Sequence, residues 1–435
     1  MSKLFISFLG TGNYQECFYE VENQKSNIGK FVQTATVGFF CSDFIEDDRI
    51  VIFCTEKAEE KHFISLKREF TANNLPVPDL VKIPDGSSEE KLWEIFQIVM
   101  DEVKDKDQII FDITHSFRSL PMLMTILLQY LKVLKNISIQ GVYYGAFEKL
   151  GYAKDVELMP VSERIAPIFD LTPFFSLYDW SIAINNFIKF GNTELLNGLS
   201  ELALKPIQCD SNLRNQDSTA LKKIVDFLNK FTKAVHLTRG PEITRLQYEK
   251  ELIEPLDIIQ GSIIPPLTPL IESLKDEFKD FKKNDIENGL RASLWCFEHK
   301  MYQQGLTILQ ESIITIFSEK LSPNSLSDRD KRDAVSLAFK ITNDNMRKMS
   351  NQIEDENISG NAKVEKIKHN PDKDVSELCK LIKPDISVFY EKLKSIRNDI
   401  NHSGYSDNSD KKPEKLIVKI NELKKQVKVL NLEKL

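Results

Sequence analysis

The feature that most narrows the fold is an alternation confined to the first third of the chain. Lys3–Leu9 (KLFISFL), Arg49–Cys54 (RIVIFC), Gln108–Asp112 (QIIFD) and Ile139–Tyr144 (IQGVYY) are short runs of β-branched and aromatic residues, the composition of strands. Between them, Glu59–Asn73 and Glu89–Val103 carry apolar residues at three- and four-residue spacing, and Pro121–Leu134 is apolar nearly all round. Strands separated by helices predict an α/β, Rossmann-like domain: a mostly parallel, doubly wound sheet with helices on both faces. Around Ile165–Pro173 (IAPIFDLTP) this pattern stops, and nothing after Leu171 resembles a strand. Phe174 opens an all-α region with helices expected at Asp179–Phe190, Leu221–Ala234, Leu290–Leu321 and Asp385–Asn401. Gly261–Pro269 (GSIIPPLTP) reads as a kinked connector and Asn351–Asp374 as a mobile loop between helices. The expected domains are 1–172, a Rossmann-like unit; 173–284, a helical connector; and 285–435, a second helical domain, in keeping with 435 residues at roughly 100–200 per domain.

Charge bounds the partners. The chain has 58 Lys and Arg against 65 Asp and Glu, a net charge of -7, so nonspecific adhesion to bulk nucleic acid is disfavoured and any phosphate contact must come from local basic groups. The opening MSKLFISFLGTGNYQE lacks the basic, apolar and small-residue segments of a signal peptide, and no apolar window of about 18 residues follows. The chain reads as soluble and cytoplasmic, with no membrane partner. Cys17, Cys41, Cys54, Cys209, Cys296 and Cys379 form no CxxC pair and read as buried thiols of a reducing compartment. With the histidines equally dispersed, no metal is expected.

In a doubly wound sheet, ligands bind beyond the carboxyl ends of the strands where strand order reverses. Two loops leave such ends. Gly10-Thr11-Gly12-Asn13 follows the first strand: small residues let the backbone approach a ligand, and Thr11 and Asn13 offer hydrogen bonds. It lacks the third glycine of a dinucleotide fingerprint, and an ordinary turn explains it about as well. The second loop is Asp112-Ile113-Thr114-His115-Ser116-Phe117-Arg118-Ser119-Leu120-Pro121, running into a helix whose first turn suits Pro121. A helix amino terminus favours anions, and His115 and Arg118 add donors for a phosphate or a nucleobase. The alternative is scaffolding, with Asp112 capping the turn and Arg118 paired to it.

DITHSFRSLP, the opening GTGNY, GVYYGAFE at Gly141–Glu148 and DLTPFFSLYDW at Asp170–Trp180 together resemble the CRISPR-associated DxTHG family. The resemblance covers the first 180 residues well and is patchier beyond; Ser116 stands where the family motif has glycine. It implies an amino-terminal CARF domain binding a cyclic oligoadenylate across a homodimer interface, cyclic tetra-adenylate being the ring expected. The ligand contacts implied are Gly10, Thr11, Gly12, Asn13, Asp112, Thr114, His115, Ser116 and Arg118. In the carboxyl-terminal region, Ser395–Ser403 (SIRNDINHS) places Arg397 and His402 in an Arg-x4-His pattern, with Asn398 between them, which resembles the signature of HEPN ribonucleases. Ile386, Phe389, Tyr390, Leu393, Ile396 and Ile400 form an apolar stripe at helical spacing, so the motif sits on a packed helix.

The implied chemistry suits those residue types. Metal-independent RNA cleavage uses the substrate's own 2′-hydroxyl as nucleophile, an imidazole to move protons and a guanidinium to stabilise charge in the transition state. Five helical residues turn through about 140°, so two helix ends brought together in a dimer would present the pair better than one. The expected function is a cyclic-oligoadenylate-activated endoribonuclease cutting single-stranded RNA in type III CRISPR antiviral defence, needing no metal cofactor and working as a homodimer or higher homo-oligomer. The alternative is a non-catalytic sensor whose helical half binds a partner; a weaker third reading is an enzyme acting on a nucleotide at the 112–121 loop. Of the remaining residues, His62, His236 and His369 read as solvated and His299 as core lining. Glu311 calls for a buried partner, Arg397 being one candidate, and Lys411, Lys412 and Lys415 read as a solvated basic face.

Overall fold

Strands built almost wholly from apolar residues need cover on both faces, and the computed structural model of the chain supplies it. The structure describes residues 2–114, 120–209, 216–259, 268–323, 326–355, 373–405, 409–410 and 412–429. Its sheet has eight strands: β1 (Lys3–Leu9), β2 (Phe18–Val21), β3 (Gln24–Lys25), β4 (Arg49–Cys54), β5 (Asp79–Lys82), β6 (Gln108–Asp112), β7 (Ser138–Gly145) and β8 (Ile165–Asp170). They lie in the order β3-β2-β8-β7-β6-β1-β4-β5. Alternate residues of β1 go to opposite sides. Leu4, Ile6 and Phe8 join Val51, Phe53, Ile109 and Phe111 under the helices Glu89–Glu102 and Leu120–Lys135, while Phe5 and Leu9 join Ile50, Ile52 and Ile110 against the helices Val32–Phe40 and Ile64–Ala72.

The five strands β5-β4-β1-β6-β7 are all parallel, and the order reverses between β1 and β6. That is the expected doubly wound core, and it puts the switch point where the two candidate loops leave the sheet. The rest of the sheet is mixed: β8 is antiparallel to β7, β2 is parallel to β8, and β3 closes a hairpin on β2. The strand pattern therefore does not stop around Ile165 as expected; β8 occupies that stretch, with Pro167 in it and a half-exposed pattern.

The chain divides into two compact units, Met1–Ser176 and Leu177–Leu435, the division falling inside the helix Thr172–Phe190. The second unit is all helix among its described residues and holds two apolar clusters. One gathers Trp180, Phe187, Phe231, Phe278, Phe281 and Trp295, where Phe231 meets Phe278 and Trp295 edge-on at 4.9 Å each. The other gathers Leu309, Ile313, Phe317, Phe339, Tyr390 and Leu393, with Phe339 stacked on Tyr390 at 4.1 Å.

Three expected elements change. Leu290–Leu321 is two helices, Asn288–Glu298 and Tyr302–Leu321, broken where Lys300 adopts φ 60°. They close tightly because Gly305 faces Phe297; a Cβ there would sit 2.6 Å from the ring. The stretch expected as a loop at Asn351–Asp374 is shorter, since the helix Arg329–Asp355 continues into it and Lys373–Leu381 begins before its end; 356–372 lie outside the described residues. Most of Gly261–Pro269 also lies outside them, and its last two residues open the helix Thr268–Phe278.

Phe231 is fully buried against Phe278, Phe281 and Trp295, so Phe231→Ala removes both transfer energy and packing contacts. A loss of about 3–5 kcal/mol is expected. It would be read as a lower urea midpoint at unchanged slope; a shift equivalent to less than about 1 kcal/mol would contradict this cluster as a core.

Candidate functional site

The site begins with a register. Ser7 of β1 lies directly beside Asp112 at the end of β6, and the Ser7 hydroxyl donates to Asp112 Oδ2 at 2.8 Å. The Thr114 amide and hydroxyl donate to the other carboxylate oxygen at 3.0 and 2.5 Å, and the Thr114 hydroxyl accepts the Gly145 amide of β7 at 2.7 Å. Asp112 has no exposure. Burial pushes its carboxyl above the usual range, and the hydrogen bonds from Thr114 and Ser7 oppose that rise. The aspartate thus fixes the loop from beneath, as the turn-capping reading expected.

The loop after β1 is held as firmly. Gly10 donates its amide to Tyr14 Oη at 3.0 Å, and the Tyr14 ring packs on Phe31 and on His62, with centroids 5.4 and 4.7 Å apart. Burial raises the Tyr14 phenol to about 12, so it stays a neutral hydroxyl. From beyond β4, Lys61 Nζ donates to the Thr11 carbonyl and to Asn13 Oδ1, both at 2.8 Å, and His62 Nε2 lies 2.8 Å from the Gly12 carbonyl. His62 was expected to be solvated; it is half-buried, and desolvation lowers its pKa.

The two loops enclose a cavity of about 290 Å³. Gly10, Thr11, Gly12, Thr55 and Thr114 line it with backbone and hydroxyl groups, and Ile83 and Leu120 add apolar wall. Of the expected ligand contacts, Gly10, Thr11, Gly12 and Thr114 therefore come together, Asn13 stands outside the lining tied to Lys61, and Asp112 is sealed below. His115, Ser116 and Arg118 lie outside the described residues. Thr55, Lys61 and His62 are additions. They follow the carboxyl end of β4, beside β1, and the rule that pointed to the other two loops applies to this one as well.

In the helical unit, the helix Pro384–Asn401 buries Ile386, Phe389, Tyr390, Leu393 and Ile396. Arg397 is half-buried; one guanidinium nitrogen donates to Asn398 Oδ1 at 3.1 Å, and its Nε is buried with no hydrogen-bond partner among the described residues. The helix ends in left-handed turns at Ser403 (φ 54°) and Gly404 (φ 70°), the Gly404 amide bonding the Asp399 carbonyl at 3.0 Å. His402, the first residue past the helix, is exposed. No hydrogen bond joins the Arg397 and His402 side chains. Glu311 pairs with Arg332 at 2.6 Å and not with Arg397, and it is half-exposed. His299 is buried as expected, its ring between the Trp295 and Ile188 carbonyls at 2.8 and 3.0 Å. Among the described residues no group of three or more His, Cys, Asp or Glu side chains could hold a metal ion, and no helix is long and apolar enough to cross a membrane.

Residues 4–148 match the CARF domain of the CRISPR system endoribonuclease Csx1. That segment of the chain is similar to a CARF domain. It is also 27% identical over 372 residues to the CRISPR-associated protein MJ1674 of Methanocaldococcus jannaschii, covering 80% of this chain and 52% of that protein. The chain thus spans about half the length of that relative. The matched CARF segment contains β1 through β7 and with them both loops of the cavity.

The raised Asp112 carboxyl predicts a pH signature. Folding favours its protonated form, so the stability tied to it falls as pH rises above the ordinary value of 3.8. Asp112→Asn retains the shape and can still accept from Thr114, so its urea midpoint between about pH 4 and 7 should fall less than that of the wild type. Parallel curves for the two proteins would show that the carboxyl does not titrate abnormally.

Proposed function

We propose that this chain is a CARF-domain, CRISPR-associated endoribonuclease of type III antiviral defence, switched on by a cyclic oligoadenylate and cutting single-stranded RNA without a metal. The observation that carries the reading is the pairing of two features in one chain. A cavity sits at the switch point of the CARF sheet, and an Arg-x4-His motif sits at the exposed end of a helix that buries one apolar face. The cyclic oligoadenylate, cyclic tetra-adenylate first among rings, would occupy the cavity, with His115, Ser116 and Arg118 completing the contacts. A symmetric ring suits a homodimer in which each copy supplies half of the site.

In the helical unit, residues 285–435 act as a HEPN-like ribonuclease domain and 173–284 as its connector. His402, exposed and free to rotate, moves protons between the 2′-hydroxyl, the scissile phosphate and the leaving oxygen. Arg397 stabilises the charge that builds on the phosphate, and Asn398 steadies the guanidinium through their 3.1 Å hydrogen bond. Because the two side chains diverge by about 140° on one helix, two copies combine their helix ends around one RNA. The activator works by binding the cleaving arrangement more tightly than the resting one, and its effect is limited to that difference in affinity.

The test is cleavage of a single-stranded RNA with and without cyclic tetra- and hexa-adenylate. Arg397→Ala and His402→Ala should each lower the activated rate by at least about 100-fold with folding and activator binding intact. Wild-type cleavage should persist in EDTA, yield 2′,3′-cyclic phosphate ends and fail at a 2′-deoxy scissile position. Undiminished cleavage by both variants would remove the nuclease assignment and leave the chain as a sensor that acts through a partner.

A further inference from the structure

The Gly10–Asn13 loop is gripped from outside by two consecutive side chains. Lys61 and His62 belong to a π-helical turn, Glu59–Phe63, just after β4, and between them they take oxygens from three successive loop residues: the Thr11 carbonyl, the Gly12 carbonyl and Asn13 Oδ1. Isolated π turns inside helices recur at functional sites. Here the widened turn lets adjacent residues 61 and 62 both reach one strand-end loop.

The partners of Lys61 are unusual for an ammonium. Its two hydrogen bonds go to neutral oxygens, and no carboxylate forms an ion pair with it among the described residues; the neighbouring Glu59 is engaged by Lys82 at 3.0 Å. Residues 115–119, which continue the loop after β6, contain no acid that could serve. An exposed, uncompensated cation therefore rests on the carbonyl of a residue that lines the cavity. An ammonium–phosphate contact adds the attraction of opposite charges, which a neutral carbonyl does not offer, so an incoming phosphodiester outcompetes the Thr11 carbonyl for this ammonium.

We propose that Lys61 is a phosphate-contacting residue of the CARF cavity, exchanging its loop contacts for a ligand phosphodiester, while His62 keeps the Gly12 carbonyl in place. The inference rests on the reading that the cavity takes a cyclic oligoadenylate. The exchange frees the Thr11 carbonyl and the Asn13 amide for the ribose or base of the same nucleotide, so one side chain couples arrival of the phosphate to remodelling of the loop. His62 holds its neighbour without charge: burial, with Lys61 and Lys30 nearby, favours its neutral ring, whose Nε2–H donates to Gly12.

The experiment is calorimetric titration of the full-length protein with cyclic tetra-adenylate and cyclic hexa-adenylate at two salt concentrations, using wild type, Lys61→Gln and Lys61→Arg. Thermal melts confirm that each is folded. Lys61→Gln can still donate to the loop but carries no charge; it should bind at least about tenfold more weakly and with a shallower salt dependence, and Lys61→Arg should restore most of the affinity. Wild-type affinity and salt slope in Lys61→Gln would reduce Lys61 to a strap on the loop and overturn the proposal. If the wild type binds neither ring, the ligand reading of the cavity fails, and this inference with it.

Discussion

A carboxylate with no solvent exposure sits where the parallel sheet ends, and the geometry of the cavity follows from how that charge is satisfied. Removing Asp112 from water costs several kcal/mol, whereas three hydrogen bonds to a charged acceptor offset it by roughly 1.5–3 kcal/mol each, so the balance is kept only while all three donors stay in place. Those donors come from β1 and from the residue two beyond Asp112, and Thr114 passes the constraint to β7 by accepting the Gly145 amide. One buried charge thereby locks three neighbouring strands at their carboxyl ends. Thr114 is left with its position on the cavity wall set to within hydrogen-bonding tolerance.

The other side of the cavity is held by different physics. The Gly10–Asn13 loop contributes carbonyls and amides that its own short length cannot pair, and the structure satisfies them from outside through Tyr14, Lys61 and His62. Phe31 packs against both Tyr14 and His62, and its amide and that of Lys30 are accepted by Glu69 one helix away. Loop, π turn and the start of the helix Val32–Phe40 are therefore connected, by hydrogen bonds on one side and by the packing of the Phe31 ring on the other. Where one wall of the cavity is anchored in the sheet, the opposite wall is anchored through the side chains of Tyr14, Lys61 and His62.

How much of this was legible in the sequence depended on burial. β1, β4 and β6 were readable because both their faces are covered and apolar residues fill them, and β7 because aromatic and β-branched residues run through it. β2, β3 and β5 are two to four residues long, and β8 carries a proline, so none offers a run long enough to separate from loop. The GTGN and DIT segments stood out because small and polar residues interrupt apolar ones there. Lys61 and His62 did not, since EKAEEKHF looks like any solvated first turn; their function arises from the strand order that sets β4 beside β1. The Glu311–Arg332 pair was likewise out of reach, because two helices' relative rotation decides which cation a carboxylate meets.

The Arg397 and His402 pair differs from the cavity in what the fold has prepared. Around Asp112 every acceptor is filled, whereas on the helix Pro384–Asn401 the Arg397 Nε lies buried without a hydrogen-bond partner among the described residues and the His402 ring is in solvent. A buried donor left unpaired costs about 1–3 kcal/mol, which an anionic oxygen arriving beside it would return. The imidazole, by contrast, stands to lose its hydration when anything covers the helix end. On the nuclease reading proposed above, an arrangement in which one group gains and the other is desolvated only on assembly would keep the resting chain inert, and the case for a second copy would rest on the chemistry of the side chains as much as on their angular separation.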